Sequence, residues 1–325
     1  MFQNLRGEVL ALTRSADTLS IQTATRPIVL AVQCLKIITM NTAINTPSSS
    51  SATFASLSRS ARMPVAFLGH GSPMNAIEDT PYRQSWQALG REFGSKFPLP
   101  QLILCISAHW LTRGWQLTAM EQPKTIHDFG GFPQALFDQQ YPAPGAPAFT
   151  REIAQQFSSP PIALDTHEWG FDHGAWSVLK PMFPEANIPL VQLSMDYDRP
   201  ASEHFALGQQ LATLRDYGVL IVGSGNVVHN LRAMKRPLND RAGNEAYDWA
   251  IEFDRSVGEH VQTGNLSALQ DFQKMGQVAQ LAHPTFEHYL PLLYCAGAAS
   301  ASDEVRMFNT DFQGASISMR SMIWS

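Results

Sequence analysis

The chain has 325 residues, of which 44% are hydrophobic and 16% are charged, and this composition supports one large α/β domain. Its 23 Lys and Arg residues against 28 Asp and Glu residues give a formal net charge of −5. No stripe of basic and aromatic residues is present to hold phosphates, which argues against nucleic acid as the main partner. We therefore expect a small molecule as the ligand.

The first 62 residues differ in composition from the rest of the chain. They contain a serine run at 48–51, a second Ser- and Arg-rich cluster at 56–62, and only two acidic residues. The longest apolar run, 27–40, is interrupted by polar residues and is too short to span a bilayer. We predict a poorly structured extension over 1–62 and no membrane segment.

Three origins of this extension remain open. It is a disordered tail, an organellar transit segment of the Arg- and Ser-rich kind, or the result of an upstream start codon, because Met40 and Met63 are further candidate starts. We predict that residues 63–325 form the catalytic domain. Three scattered cysteines without CxxC spacing are typical of a reducing compartment, so we expect a cytoplasmic protein without thiolate metal ligands.

From Met63 onward, short apolar runs of strand length alternate with stretches typical of helices. The runs are 64–68, 102–107, 188–195 and 219–222, with a closing strand expected within 316–324. A helix is predicted to open at Thr80-Pro81, with Thr80 as its cap, and others at Ala146-Pro147 and Arg199-Pro200. This order predicts a single α/β domain with a central, mostly parallel or mixed sheet flanked by helices.

Three histidines follow apolar, strand-like segments: His70, His109 and His229. Because the carboxyl ends of parallel strands meet at one edge of the sheet, these side chains are expected to lie close together. Neutral imidazoles gathered in this way bind a transition metal. The pattern therefore predicts a metal site at the carboxyl ends of the strands, although each histidine taken alone could serve only the fold.

A fourth histidine, His288, lies where a helix is predicted to start after Pro284. Helix residues one position apart diverge by about 100° around the axis, so we expect the neighbouring Glu287 to face away from any metal that His288 binds. Taken alone, His288 would more often be a packed histidine of the core.

Two loop-like segments, 125–133 and 168–176, combine His, Asp, Gly and aromatic residues, a composition typical of the wall of a pocket. For His127 and His173 within them, we favour substrate contact or support of the site over a plain surface position. Nucleotide and protease motifs are absent from the sequence, and Ser72 lacks the spacing of a nucleophile elbow.

Six segments in the same order resemble the LigB-type class III extradiol ring-cleaving dioxygenases, and within them the branch that cleaves DOPA. The segments are GHGSPMN (69–75), SAHW (107–110), IHDFGGFP (126–133), WGFDHGAW (169–176), SGNVVHN (224–230) and EHYLPLLY (287–294). The resemblance covers the chain from Met63 onward. It implies a non-haem Fe(II) enzyme that opens a catechol ring beside its two hydroxyls, with dioxygen as the second substrate.

By this resemblance, His70 and His109 are metal ligands, His288 stands at the third ligand position, and His229 is the acid/base histidine. Members of this family often use Glu as the third ligand, so His288 is a departure. Four histidines around one ion could instead form a tetrahedral Zn(II) site that includes His229. His173 or His127 is expected to donate a proton or a hydrogen bond to the oxygen species.

The aromatic side chains expected to wall the substrate are Trp110, Phe129, Phe132 and Trp176. Two other classes of protein remain as alternatives. One is a zinc-dependent hydrolase that uses the same histidines and consumes no oxygen. The other is a Memo-like interaction protein that keeps the fold without catalysis.

Overall fold

The computed structural model describes residues 54–235 and 245–325, which belong to one compact unit. The strands are β1 (Val65–Gly69), β2 (Leu102–Thr112), β3 (Trp115–Thr118), β4 (Lys124–Thr125), β5 (Ile162–Asp165), β6 (Gly170–Phe171), β7 (Leu190–Asp196), β8 (Val219–Gly225), β9 (Val305–Phe308), β10 (Phe312–Gln313), β11 (Ile317–Ser318) and β12 (Ser321–Trp324). The α-helices are α1 (Pro81–Glu92), α2 (Gln134–Phe137), α3 (Pro147–Gln156), α4 (His173–Met182), α5 (Ala201–Leu211), α6 (Asp248–Gln262), α7 (Gln277–Ala282) and α8 (Leu290–Ala298). Short 3-10 helices cover Pro73–Ala76, Ala212–Tyr217, Leu231–Ala233 and Leu266–Met275.

Eight strands form one mixed sheet in the order β5-β3-β7-β2-β8-β1-β12-β9. The four central strands, β7, β2, β8 and β1, are parallel to one another. The strands that flank these four run in the opposite direction, because β12 is antiparallel to β1 and β3 is antiparallel to β7. The predicted α/β fold with a mostly parallel or mixed sheet is confirmed, and the parallel centre brings the carboxyl ends of β1, β2 and β8 to one edge.

Both faces of the sheet are covered, so the central strands read as continuous apolar runs. Along β1, Val65 and Phe67 pack into one apolar cluster, and Ala66 and Leu68 pack into a second cluster on the opposite face. Helices α1 and α4 supply the second cluster, whereas α5, α6 and α8 supply the first. This double cover holds the strand ends rigidly in place.

The strand β2 is longer than the predicted run 102–107, because pairing continues to Thr112. The pairing with β7 shifts register between Ile106 and Leu111. His109 lies inside this irregular stretch rather than after the strand. An irregularity of this kind re-aims a side chain at the end of a strand, a position common next to active sites.

The starts of α1 and α3 follow the predicted signals, and α5 begins at Ala201, directly after the predicted Arg199-Pro200 step. Thr80 Oγ1 accepts a hydrogen bond from the backbone N–H of Arg83 at 3.2 Å, and Pro81 is the first residue of α1. The prediction of a loop over 168–176 is wrong for its second half, because α4 begins at His173, where the carboxylate of Asp172 accepts the backbone N–H of Ala175 at 3.1 Å. This cap places His173 in the first helical position, next to the ends of the parallel strands.

Part of the predicted extension is described. Phe54 is 3% exposed and packs against the rings of Phe149 and Tyr217, with centroid distances of 5.9 and 5.2 Å. The remainder of the predicted extension, 1–53, lies outside the described residues. Among the helices of 54–235 and 245–325, none is long and apolar enough to cross a membrane.

Candidate metal centre

A cavity of about 430 Å³ opens at the carboxyl ends of β1, β2 and β8. Its lining residues are His70, Gly71, Ser72, Pro73, His109, Asp128, Phe129, Gly130, Gly131, Phe132, His173, His229, Leu231, Met234, His288 and Ile317. A larger, more open groove of about 1260 Å³ between the start of α1 and helix α6 contains none of these histidines. The smaller cavity, which the histidines line, is therefore the candidate site.

Three of its histidines converge on one point. Nε2 of His70 lies 3.3 Å from Nε2 of His109, and the ring of His288 has its centroid 5.3 and 5.0 Å from theirs. One ring nitrogen from each of the three lies within 4.8 Å of the others. His70 follows β1 directly, as predicted, and its side chain is almost fully buried.

The hydrogen bonds of Ser224 define the tautomer of His70. Oγ of Ser224 donates its proton to the carbonyl oxygen of Gly174 at 2.5 Å, and it lies 3.0 Å from Nδ1 of His70. Since the hydroxyl proton is already used, Oγ accepts a hydrogen bond from Nδ1–H of His70. The lone pair of Nε2 is then free to bind a metal.

Carboxylate groups lie beside the Nδ1 atoms of the other two histidines, His109 and His288. Oδ2 of Asp128 lies 3.2 Å from Nδ1 of His109, and Oε1 of Glu287 lies 3.1 Å from Nδ1 of His288. An ionised carboxylate only accepts hydrogen bonds, so the contact of His288 with Glu287 is a hydrogen bond from Nδ1, which leaves a free lone pair on Nε2. The position of Asp128 beside Nδ1 of His109 favours the same tautomer for that ring. Imidazoles that bind metals are typically supported in this way through their second nitrogen.

Burial keeps these imidazoles neutral. It lowers the pKa of His70, His109 and His288 well below the ordinary value, and the neighbouring histidines lower it further. For His109, the charge of Asp128 opposes this effect. Neutral rings with free Nε2 atoms have the donor chemistry that a divalent transition metal requires, so the residues present fit such an ion.

His229 lies beside this group but has different neighbours. Its ring stacks on that of His288, with centroids 3.4 Å apart and planes 6° apart. A ring nitrogen of His229 lies within 4.8 Å of donor atoms of Glu287 and His288. The donor group that contains His70 and His109 has His288, not His229, as its third member. Burial, followed by the charges of His283 and His173, lowers the pKa of His229 to about 3, so this ring is neutral.

His173 lines the cavity on another side and is bound to Asp128. Oδ1 of Asp128 accepts the backbone N–H of His173 at 2.9 Å and lies 3.0 Å from Nδ1 of the same residue. Burial alone would raise the pKa of Asp128, but the hydrogen bond with His173 and the charges of His173 and His109 lower it to about 2. Asp128 is therefore ionised, and it contacts both His109 and His173.

Some of the predicted site residues do not reach the cavity. His127 is not among the lining residues; its Nε2 lies 2.9 Å from the carbonyl oxygen of Gln139, and its ring packs against Trp176. Of the predicted aromatic walls, Phe129 and Phe132 line the cavity, whereas Trp176 does not.

Trp110, the remaining predicted aromatic wall, is also outside the lining. It stacks on Trp169 instead, with centroids 5.7 Å apart and planes 3° apart.

The expected orientation of Glu287 is wrong. Its carboxylate contacts His288 instead of facing away, because both residues lie in a turn and α8 begins only at Leu290. The sequence reasoning also missed Asp128 and Ser224 as partners of the histidines. Asp128 stands beside His127 in a segment already noted for its composition, whereas nothing in the sequence links Ser224 to His70.

The sequence of the chain is similar to those of known proteins. A family model described as the catalytic LigB subunit of aromatic ring-opening dioxygenase matches residues 64–319. A 4,5-DOPA dioxygenase extradiol from Escherichia coli (strain K12) is 47% identical over 270 residues, which are 81% of this chain and 95% of that protein. A protein of the same name from Beta vulgaris is 34% identical over 254 residues, which are 76% of this chain and 91% of that protein.

The fold is also found in a solved structure. A crystal structure of an uncharacterized protein from Escherichia coli K12 superposes with a TM-score of 0.69 at 41% sequence identity, and the match covers 81% of this chain and 100% of that one. The family model, over residues 64–319, spans the strands and loops that carry the histidines.

Proposed function

Because the chain belongs to the LigB family of aromatic ring-opening dioxygenases, we propose that it cleaves a catechol such as DOPA at the 4,5-bond with dioxygen, giving a muconic-semialdehyde-type product. The observation that carries this proposal is the convergence of His70, His109 and His288, with free Nε2 atoms, beside a cavity walled by phenylalanines. A cavity of about 430 Å³ has the size expected for a small-molecule site.

His70, His109 and His288 would hold the metal, and we propose Fe(II) as the ion. When bound, Fe(II) would supply a redox-active Lewis acid for the reaction of the catechol with dioxygen. His229 is separate from the donor group that contains His70 and His109, which favours three ligands over a closed four-histidine Zn(II) site.

The side chains of the cavity have distinct tasks in this proposal. His229, which stacks on the proposed ligand His288, would accept a proton from a catechol hydroxyl. Phe129 and Phe132, whose rings are 5.4 Å apart, pack against the aromatic ring and exclude water. His173, held by Asp128, is placed to hydrogen-bond or protonate the oxygen that develops negative charge.

Metal reloading with oxygen measurement tests this function. The purified full chain is stripped of metal and reloaded anaerobically with Fe(II) or Zn(II) in parallel. Air-saturated L-DOPA is then added while oxygen uptake and the absorbance of a yellow product are followed. Uptake with Fe(II) alone is the expected result. No uptake across several catechols would contradict the proposal, and oxygen-independent hydrolysis supported by Zn(II) would replace it.

A further inference from the structure

One carboxylate group joins a metal-binding imidazole to a second imidazole of the cavity. The two oxygens of Asp128 have different partners: Oδ2 lies 3.2 Å from Nδ1 of His109, and Oδ1 lies 3.0 Å from Nδ1 of His173. Oδ1 also accepts the backbone N–H of His173 at 2.9 Å. The two rings themselves are in contact, with centroids 3.9 Å apart.

We propose that Asp128 is a positioning residue that holds the proton of His109 on Nδ1, and thereby keeps Nε2 available to the metal, while it fixes His173 over the same centre. This inference rests on the proposed function only for its link to turnover. Its claim about metal binding stands on the contacts of Asp128 with His109.

The assignment follows from which atoms accept and which donate. Nδ1 of His109 needs an acceptor if its Nε2 is to face the metal, and a carboxylate oxygen accepts without donating. Nδ1 of His173 lies 3.0 Å from Oδ1 without hydrogen-bond geometry, so Asp128 holds His173 through its backbone N–H. Oδ1 already accepts a hydrogen bond from the backbone N–H of His173, which fixes the orientation of the carboxylate. Oδ2 is therefore the atom that determines the tautomer of His109.

The substitution Asp128→Asn separates this role from a structural one. The amide keeps the size of the side chain, and its oxygen can retain the bond to the backbone N–H of His173. Its NH₂ group then faces Nδ1 of His109, and two donors oppose each other. The conflict is relieved when His109 moves its proton to Nε2, which removes the lone pair that binds the metal.

Two measurements on the full chain test the inference. The first is the Fe(II) dissociation constant of the metal-free protein under anaerobic conditions, which we expect to rise about 10- to 100-fold in Asp128→Asn, as for the loss of other carboxylate partners of ligating histidines. The second is the long-range 1H–15N spectrum of histidine-labelled, metal-free protein, with His109 assigned from a His109→Gln sample. His109 should carry its proton on Nδ1 in the original chain and on Nε2 in Asp128→Asn.

The matched control is Asp198→Asn, which removes a carboxylate whose side chain is 72% exposed and outside the cavity lining. It should leave the dissociation constant and the His109 tautomer unchanged. Wild-type affinity in Asp128→Asn, or a proton on Nε2 of His109 in the original chain, would overturn the proposal. Loss of cooperative unfolding in Asp128→Asn would also overturn it, since Asp128 would then serve the fold. If the original chain consumed no oxygen with any catechol, the proposed function would fail while both measurements still decided the role of Asp128.

Discussion

The imidazole rings of His229 and His288 lie parallel, with centroids 3.4 Å apart and planes 6° apart. In spite of this contact, the two rings have different partners. His288 has its Nδ1 paired with Glu287 and contributes a donor to the group formed with His70 and His109. His229 is not part of the three-histidine donor group, yet its ring lies directly against the proposed ligand His288. This position suits a base that acts on a bound catechol.

Replacement of His229 by alanine separates these two roles. We expect His229→Ala to bind Fe(II) with unchanged stoichiometry and to lose turnover by about 10²- to 10⁴-fold, the contribution typical of a general acid or base. Metal content by elemental analysis and kcat from oxygen uptake check this expectation. Loss of the metal together with turnover would make His229 a ligand.

Two further variants serve as positive and negative controls for metal loss. His288→Ala removes a member of the donor triad and should lose the metal. His167→Ala changes a histidine whose side chain is 77% exposed and should retain both metal and activity. A loss of activity in His167→Ala would show that the assay responds to general destabilisation.

Removal of the Ser224 hydroxyl tests the tautomer of His70. Because Oγ of Ser224 donates a hydrogen bond to the carbonyl oxygen of Gly174 and accepts a hydrogen bond from Nδ1–H of His70, Ser224→Ala leaves that Nδ1–H without its acceptor. We expect Fe(II) affinity to fall about 10- to 100-fold, since such supporting contacts orient ligating imidazoles. A metal titration of the metal-free protein measures the change.

The matched control is Ser177→Ala. Oγ of Ser177 is buried and has no hydrogen-bond partner among the described residues, so this substitution removes a similar hydroxyl without breaking a contact. Its Fe(II) affinity should equal that of the original chain. If the two alanine variants bound Fe(II) equally well, Ser224 would have no part in orienting His70.

Local sequence patterns predicted the parts of the site that follow directly from strand ends. His70 comes immediately after β1, and His229 follows the end of β8, so their convergence was expected from a parallel sheet. The strand β2 shows the limit of this reasoning. The strand continues past His109 to Thr112, but its pairing with β7 is interrupted between Ile106 and Leu111, and such an irregularity depends on the neighbouring strand rather than on the local sequence.

The partners of the histidines were less accessible to sequence analysis because they depend on tertiary contacts. The loop that carries Asp128 meets the first turn of α4 at His173, and the pairing of the two residues depends on how that loop packs. Glu287 was expected to face away from His288 because helical spacing was assumed, whereas a turn brings its carboxylate back to the neighbouring ring. Side-chain direction in turns is set by packing, which periodicity does not report.

The buried imidazole of His204 predicts a pH dependence of stability that is independent of the metal centre. His204 is fully buried and its Nδ1 lies 2.8 Å from the hydroxyl of Tyr294. Burial lowers the pKa of His204 to about 4, against smaller opposing effects of the Arg199 carbonyl and of Asp196. The unfolded chain, with a pKa near 6.5, then binds more protons than the folded chain in the window between about 4 and 6.5.

The sign follows from this difference in pKa. The stability contributed by neutral His204 is present above pH 6.5 and is lost as the pH falls towards 4, by about 2 kcal/mol between pH 7 and pH 5. Urea unfolding at both pH values should therefore show a smaller pH-dependent loss in His204→Gln than in the original chain. His167→Gln, at an exposed position, should show the original loss. An equal pH dependence in all three proteins would contradict the prediction.

A second stability prediction contrasts a buried ion pair with an exposed one. Arg215 and Asp303 form a 2.6 Å pair with side chains 1% and 5% exposed, and Nε of Arg215 also donates to the carbonyl oxygen of Met63 at 2.6 Å. The substitution Arg215→Met leaves the carboxylate of Asp303 buried without its counter-charge. We expect the free energy of unfolding in urea to fall by about 3 to 5 kcal/mol.

The pair between Arg62 and Asp216 provides the comparison, because its distance is similarly short at 2.8 Å but its side chains are 38% and 41% exposed. Water and salt screen such a pair, so Arg62→Met should cost less than about 1 kcal/mol. The double variant Arg215→Met/Asp303→Asn should recover part of the loss of Arg215→Met, since it removes the uncompensated charge while an amide can still fill the site. Urea titrations of all these variants measure the free energies of unfolding. Equal losses of unfolding free energy in Arg215→Met and Arg62→Met would show that the buried charge of Asp303 does not determine the loss.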